Sequence, residues 1–504
     1  MYILGADIGT TGTKTMLIGE AGAREGYAYQ EYPLITLADG GIEQRAQDWW
    51  LTLAGTVREA TAGIAGKHQI KALSLSTQGG SCVLLDGNDE TLINAHSWMD
   101  NRPDSVLGAF SDMDERYFYQ ASGWRLSGLM MAARAVWFRR NRPEAWARAK
   151  RYLTTADYVN LRLTGRAAID PTNAAMTQLF DIRTMDWDDK ILAAAGVPRS
   201  LLPDIVPSGE VIGTLTPAAA KELGLNEGTL VVSGAHDQYA AAVGAGAFEP
   251  GDMLLSTGTA WVLMGIAGKL TYDYEDFLGV GNHALKGLFG ALTSIPTAGA
   301  GLEWYRKNFA EQEMKGGALS RVSFKKLDGA AEARIEKNAG LFFFPQFNGR
   351  LFPRWTPKSK ASFMGLSLEH DSYDMALAIM EGVAFDMMMN IEAYAAKGFP
   401  CEQLKLLGGA SKSRLWTDIL RDVTGLPLMR FREADVTCLG AASLAAAGCG
   451  LFPTVRDAAQ TITKGAVECM DAPAGGRREH YAKKFSLYKA RLPEVERFYQ
   501  INME

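Results

Sequence analysis

The stretch Gly5-Ala-Asp-Ile-Gly-Thr-Thr-Gly-Thr-Lys14-Thr-Met-Leu-Ile-Gly19 decides how the rest of the chain is read. Tyr2, Ile3 and Leu4 lead into a Gly- and Thr-rich turn, and Met16, Leu17 and Ile18 lead out of it, a strand–turn–strand pattern. Successive backbone N–H groups, small hydroxyls and the Lys14 cation suit such a turn to phosphate oxygens. Asp7, just before it, is placed to face a phosphate-bound metal ion. The turn is not a Walker A loop, because Thr13 rather than Gly precedes Lys14 and no helix pattern follows. Taken alone, an ordinary hairpin would look the same.

The other half of the chain echoes it. Gly251-Asp-Met-Leu-Leu-Ser-Thr-Gly-Thr-Ala-Trp-Val-Leu-Met-Gly265 is again an apolar strand, a Thr/Gly turn and an apolar strand. Two related hairpins imply two related domains facing a cleft, with the boundary at the linker-like Phe248-Glu-Pro-Gly251, hence domains of 1–249 and 250–504. A third turn, in Leu404-Lys-Leu-Leu-Gly-Gly-Ala-Ser-Lys-Ser413, joins a strand to the helix starting near Trp416, a seat for a nucleotide at a helix N-terminus. Strands alternating with helices predict an α/β fold of mixed sheets covered by helices.

At 504 residues the chain is too long for one core, which agrees with two domains. Its net charge of −5 gives no reason to expect nucleic acid as a partner. Five scattered cysteines without C-x-x-C spacing predict a reducing compartment, no zinc site and no disulfide framework. The N-terminus enters a strand at once, and the most apolar late stretch, Cys438 to Phe452, is too short to span a bilayer. A cytoplasmic protein without membrane contact is expected. Cys438 to Phe452 is Ala- and Gly-rich and reads as a close-packed helix ending near Gly448 or Gly450. Gly41 onward reads as an amphipathic helix to about Ile64, Lys71–Ser76 and Leu230–Ser233 as buried strands, and Asp237 onward as a helix.

With these turns in order, the chain resembles the FGGY carbohydrate kinases, in their xylulokinase-like branch, over essentially its whole length. The residues that carry the resemblance are Ala6-Asp-Ile-Gly-Thr-Thr-Gly-Thr-Lys14, Gly41-Ile-Glu-Gln44 with Asp48-Trp-Trp50, Ser97-Trp-Met-Asp-Asn-Arg102, Gly234-Ala-His-Asp-Gln238, Ser256-Thr-Gly-Thr259, Ala298-Gly-Ala-Gly-Leu-Glu-Trp304 and Gly408-Gly-Ala-Ser-Lys-Ser413. The resemblance implies two actin-like, ribonuclease H-like domains around a central cleft. It also implies transfer of the γ-phosphoryl of ATP, with Mg²⁺, to a sugar or polyol hydroxyl, and a homodimer.

Carried over position by position, the resemblance makes Asp237 the proton acceptor, a role a carboxylate suits in phosphoryl transfer. Helix N-capping is the other reading of Asp237. Asp7 and Asp237 match positions that hold Mg²⁺. Thr10, Thr11, Lys14, Gly258, Thr259, Gly299, Glu303, Gly409, Ala410 and Ser413 match ATP-contacting positions. Gln78, Trp98, Asp100, Arg102 and Gln238 match the sugar side, and His236 reads as a locally packed structural residue. The chain departs from the family pattern at the first sugar loop. Xylulokinases commonly carry Gln-Met-His-Gly there, whereas this chain has Gln78-Gly-Gly-Ser81, and Arg134 stands where lysine is usual. The lost histidine is expected to leave room for a bulkier or differently oriented substrate. A ketopentose such as xylulose is the expected substrate. Ribulose, gluconate, glycerol or erythritol, and a non-catalytic nucleotide-binding actin-like protein, are the alternatives.

Overall fold

The computed structural model describes residues 1–64, 66–310, 312–315, 318–338, 340–432, 435–470 and 476–501. Two large sheets organise it. The first contains β1 (Tyr2–Ile8), β2 (Gly12–Gly19), β3 (Arg24–Glu31), β4 (Ile70–Thr77), β5 (Val211–Thr214) and β6 (Leu230–His236), in the order β5-β6-β4-β1-β2-β3. The second contains β7 (Asp252–Thr257), β8 (Trp261–Ala267), β9 (Gly279–Asn282), β10 (Phe289–Ile295), β11 (Gln403–Gly408), β12 (Leu428–Phe431) and β13 (Val467–Met470), in the order β9-β10-β8-β7-β11-β12-β13.

The two sheets repeat one plan. β1 runs antiparallel to β2 and parallel to β4, as β7 does to β8 and β11. The series β3-β2-β1-β4-β6-β5 is thus matched in order and polarity by β10-β8-β7-β11-β12-β13. This is the two-domain actin-like, ribonuclease H-like architecture. The central strands are buried on both faces, which is why they read as continuous apolar runs: Ile3, Leu4, Ala6 and Ile8 of β1 are at most 1 % exposed.

Seven helices matter for the site: α1 (Ala46–Ala60), α2 (Met131–Asn141), α3 (Asp237–Gly244), α4 (Ala298–Asn308), α5 (Ser372–Ala396), α6 (Arg414–Thr424) and α7 (Val436–Gly448). α1 covers β2 and β3, joined by hydrogen bonds between the Thr13 and Thr52 hydroxyls at 2.8 Å and the Thr15 and Thr56 hydroxyls at 2.7 Å. α5, apolar nearly all round, runs through the core beside the second sheet. α7, from the second half of the chain, packs back on the first sheet: Cys438, Leu439, Ala442 and Ala445 cluster with Ile3, Met16, Ala72 and Val232. A Cβ on Gly5 would stand 2.0 Å from the Cys438 carbonyl, so β1 and α7 touch backbone to backbone. α3 and α7 cross as closely, through Gly440 and Gly244.

One expectation is corrected. Ile42–Gln44 is a strand, and the helix begins only at Ala46. The strand belongs to a small separate sheet, paired locally with Ile35–Thr36 and on its other side with Ala95–His96, beyond which lie Cys82–Leu85 and Arg151–Thr154. Cys82, Cys401, Cys438 and Cys449 are free thiols, and the Cys469 side chain lies outside the described set. Among the described residues no helix is long and apolar enough to cross a membrane.

Candidate active site

The first hairpin closes with the Gly9 N–H donating to the Gly12 carbonyl at 3.0 Å, leaving Thr10 half-buried and Thr11 exposed at the tip. Thr10 is gripped from the small sheet. Its carbonyl accepts from Gln44 Nε2 at 2.7 Å, and its hydroxyl accepts from Trp98 Nε1 at 3.0 Å. Asp7 and Lys14 face each other in the β1/β2 register. Asp7 is buried and accepts from the Ser76 hydroxyl at 2.7 Å. Burial pushes its pKa up to about 6; Lys14 and Ser76 oppose the rise, and the nearby Asp237 charge adds to it. Lys14 is not idle: its ammonium lies 2.7 Å from Asp435, just before α7. Burial works against that charge, but Asp435 and Asp7 outweigh it and keep the ammonium protonated.

β6 delivers His236 and Asp237 to the same end of the sheet. His236 takes the N-cap position of α3 and Asp237 is its first helical residue, so Asp237 is not the N-cap. The Asp237 side chain is 33 % exposed, but its Oδ1 is shut in without a hydrogen-bond partner, 3.3 Å from His236 Nε2. Gln238 turns toward the second sheet and accepts from the Ser256 hydroxyl at 3.1 Å through Oε1. The predicted base and its neighbour therefore stand between the two hairpins.

On the opposite side, the tip residues Gly258 and Thr259 are exposed. The Thr259 carbonyl accepts from the Ala300 N–H at 3.0 Å, and a Cβ on Gly299 would meet the Gly258 carbonyl at 2.0 Å. Gly299 thus lets the N-terminus of α4 rest on the second hairpin. The third turn is tied to the same hairpin by the Ala410 N–H, which donates to the Thr257 hydroxyl at 3.1 Å, while Gly408 adopts φ +88°. Gly409 and Ala410 are therefore brought to Gly258 and Thr259. Ser413 is engaged as the N-cap of α6, accepting from the Trp416 N–H and donating to Asp328. Glu303 pairs with Arg306 and Arg321, and these partners hold its carboxyl below the usual range.

The predicted sugar residues divide. Gln78 is buried, its Nε2 donating to Gln44 Oε1 at 3.0 Å while its Oε1 has no partner. Trp98, 40 % exposed, leans over the hairpin tip. Asp100 and Arg102 instead form an internal cluster: Asp100 is fully buried, and the Arg102 guanidinium is shared among Asp100, Glu43 and Asp39. The room expected from the missing histidine is not there. A Cβ on Gly79 would lie 2.5 Å from His236 Cδ2, and one on Gly80, at φ +74°, would lie 3.3 Å from Trp98 Cβ. The His236 ring and the Trp98 stem fill both places.

Gln44, Thr257, Ser256 and Asp435 are contributors that sequence reasoning did not single out. Gln44 had a signal as the last residue of the quoted Gly41-Ile-Glu-Gln motif, and Ser256 and Thr257 as the first two of Ser256-Thr-Gly-Thr259; Asp435 had none.

Comparison with known proteins agrees with this geometry. Residues 2–244 match the N-terminal domain, and residues 253–449 the C-terminal domain, of the FGGY family of carbohydrate kinases. The chain is 27 % identical to the xylulose kinase of Bacillus subtilis over 97 % of its own length and 96 % of that protein. It is 26 % identical to the gluconokinase of the same organism over 90 % of its length and 88 % of that protein. The crystal structure of a "xyloylose kinase" from Brucella ovis superposes with a TM-score of 0.89 at 26 % identity, covering 99 % of this chain and all of that one. Two matched hairpins, a carboxylate between them and both halves of the family pattern lead to one statement: the chain belongs to the FGGY family of carbohydrate kinases.

Proposed function

We propose that this carbohydrate kinase transfers the γ-phosphoryl group of ATP to a hydroxyl of a ketopentose of the xylulose type, with Asp237 as proton acceptor. The observation that carries the reading is the position of Asp237: first residue of α3, partly exposed, uncommitted to capping, and flanked by Gln238 reaching Ser256 next to the second hairpin. Phosphoryl transfer asks a protein mainly to position reactants and offset charge. The hairpin tips at Thr10–Thr11 and Thr259, with Gly409, supply backbone N–H groups for the phosphates, while the N–H groups of Gly258 and Ala410 stay on the Ala260 carbonyl and the Thr257 hydroxyl and shape the turn. In this reading Lys14 exchanges Asp435 for a phosphate oxygen when ATP enters. Gln78 Oε1, buried and without a partner, accepts from a sugar hydroxyl, and Trp98 offers its exposed face to the carbon skeleton.

Asp7 fits a divalent cation. It is a buried carboxylate under the influence of a second one, Asp237, and a cation between them would relieve the burial and the repulsion together. Mg²⁺ held there would neutralise phosphate charge.

Support for a neutral sugar over gluconate comes from Arg102. Its charge is already balanced by Asp100, Glu43 and Asp39, so it offers little to an aldonate. Asp237→Asn should lower sugar-dependent ADP release by about 10²–10⁴-fold with ATP binding retained; near-normal turnover would remove Asp237 as the base. In a panel of xylulose, ribulose, gluconate, glycerol and erythritol, kcat/KM should be highest for xylulose. Preference for gluconate would overturn the ketopentose assignment while leaving the base intact.

A further inference from the structure

His236 is buried beside the proposed base and is held from every side. Its backbone N–H donates to the Thr172 hydroxyl at 2.8 Å, and its ring lies edge-on to Tyr239 with centroids 6.2 Å apart. Across the sugar loop it presses on Gly79, where a Cβ would come within 2.5 Å of Cδ2 and 2.6 Å of Nε2. Met176 closes the same space, 3.2 Å from that Cβ position. The ring cannot swing away, and Gly79 cannot carry a side chain while the ring is there.

The two ring nitrogens differ. Nδ1 is buried with no partner, whereas Nε2 lies 3.3 Å from Asp237 Oδ1, an ion-pair distance that falls short of a hydrogen bond, and Oδ1 is itself buried without a hydrogen-bond partner. A buried N–H without an acceptor costs about 1–3 kcal/mol, so a proton on Nε2, on the carboxylate's side of the ring, costs less than one on the enclosed Nδ1. Since Oδ1 is enclosed and the side chain is 33 % exposed, the outward-facing oxygen is Oδ2.

We propose that His236 is a positioning residue for the proton acceptor: Nε2–H steadies Oδ1 of Asp237 so that Oδ2 meets the acceptor hydroxyl, and Gly79 is bare to admit the imidazole. The reaction keeps its atoms: the hydroxyl proton passes to Oδ2, the hydroxyl oxygen bonds to the γ-phosphorus, and ADP leaves. His236 exchanges no proton. The pair also sets the wall of the sugar site, because the loop backbone at Gly79 lies directly against the ring. This rests on Asp237 being the base, and the experiment separates the two claims.

Six variants are assayed for kcat and for both KM values, using the acceptor from the five-compound panel that turns over fastest. They are His236→Ala, His236→Gln, Gly79→Ala, Gly79→Ala/His236→Ala, Asp237→Asn and Asp237→Asn/His236→Ala. His236→Ala is expected to lower kcat about 10-fold or more with the ATP KM unchanged, and His236→Gln, whose Nε2 reaches a similar point, to recover part of it. Gly79→Ala should lower kcat by displacing the ring. The double variant should then match His236→Ala instead of multiplying the two losses, because both changes act on one contact. In the Asp237→Asn background, His236→Ala should leave the residual rate unchanged. Normal kcat in His236→Ala, losses that multiply in the Gly79/His236 pair, or a further fall in the Asp237→Asn background would each overturn the proposal. An active Asp237→Asn enzyme would instead overturn the base assignment.

Discussion

Asp7 keeps a charge where its surroundings disfavour one. Burial and the Asp237 carboxylate lift its pKa from 3.8 to about 6 even with Lys14 opposite. For an acid raised in this way, stability is fully present below pH 3.8 and is lost as pH rises through about 6. At pH 8 the ionised Asp7 therefore costs the ligand-free fold about 3 kcal/mol, the interval from 3.8 to about 6 at 1.36 kcal/mol per pH unit. Asp7→Asn should raise the melting temperature of the ligand-free protein at pH 8, with a gain that shrinks at pH 5, while lowering kcat. A variant with the same or a lower melting temperature at pH 8 would show that Lys14 and Ser76 outweigh the burial. The placement of Asp7 and Lys14 on the first hairpin was legible in the sequence because strand-end and turn positions follow from local pattern, whereas Asp237 was singled out by its resemblance to the family motif. That Arg102 could hold Asp100, two residues away, was also within reach of the sequence, but its sharing with Asp39 and Glu43 was not, because those come from another segment. His236 packs locally as expected, but its contact with Gly79 was hidden because that glycine lies on a different strand's loop.

Hairpins announce themselves. An apolar run, a Thr/Gly turn and a second apolar run have few other ways to fold, and both predicted hairpins form. The strand at Ile42–Gln44 was read as a helix start because the amphipathic pattern of α1 follows at once, and three residues are too few to show a strand pattern of their own; its pairings with Ile35–Thr36 and the remote Ala95–His96 define it. The seating of α4 on the second hairpin was equally hidden, although it turns on one atom. Gly299→Ala places a methyl 2.0 Å from the Gly258 carbonyl, against backbone that cannot rotate away. Helix and hairpin must separate, with a cost of about 1–3 kcal/mol or more. We expect a lower melting temperature and a fall in kcat/KM for ATP of roughly 10²-fold, with the sugar KM less affected. Wild-type nucleotide kinetics in this variant would show that the α4–hairpin contact does not shape the phosphate site.

The two sheets share one strand plan, and in the proposed reaction the hairpin of each has to reach the same nucleotide. Approach of the halves is the motion this arrangement requires. Small-angle scattering should give a smaller radius of gyration with sugar and a non-hydrolysable ATP analogue together than with neither; an unchanged radius would argue for a preformed site. The duplication was visible in the sequence as the echo of Ala6–Lys14 in Ser256–Thr259, but the return of α7 was not. Its Ala- and Gly-rich composition showed that it packs closely, without showing against what. That helix has a consequence during synthesis. The apolar face formed by Ile3, Met16, Ile18 and Ala72 leaves the ribosome hundreds of residues before its cover, Cys438 to Ala446. At about 5–20 residues per second the face waits roughly 20–90 s for its partner. Nascent chains stopped before residue 448 should therefore be sticky and chaperone-bound, because the first sheet stays open until the second half of the chain supplies its cover.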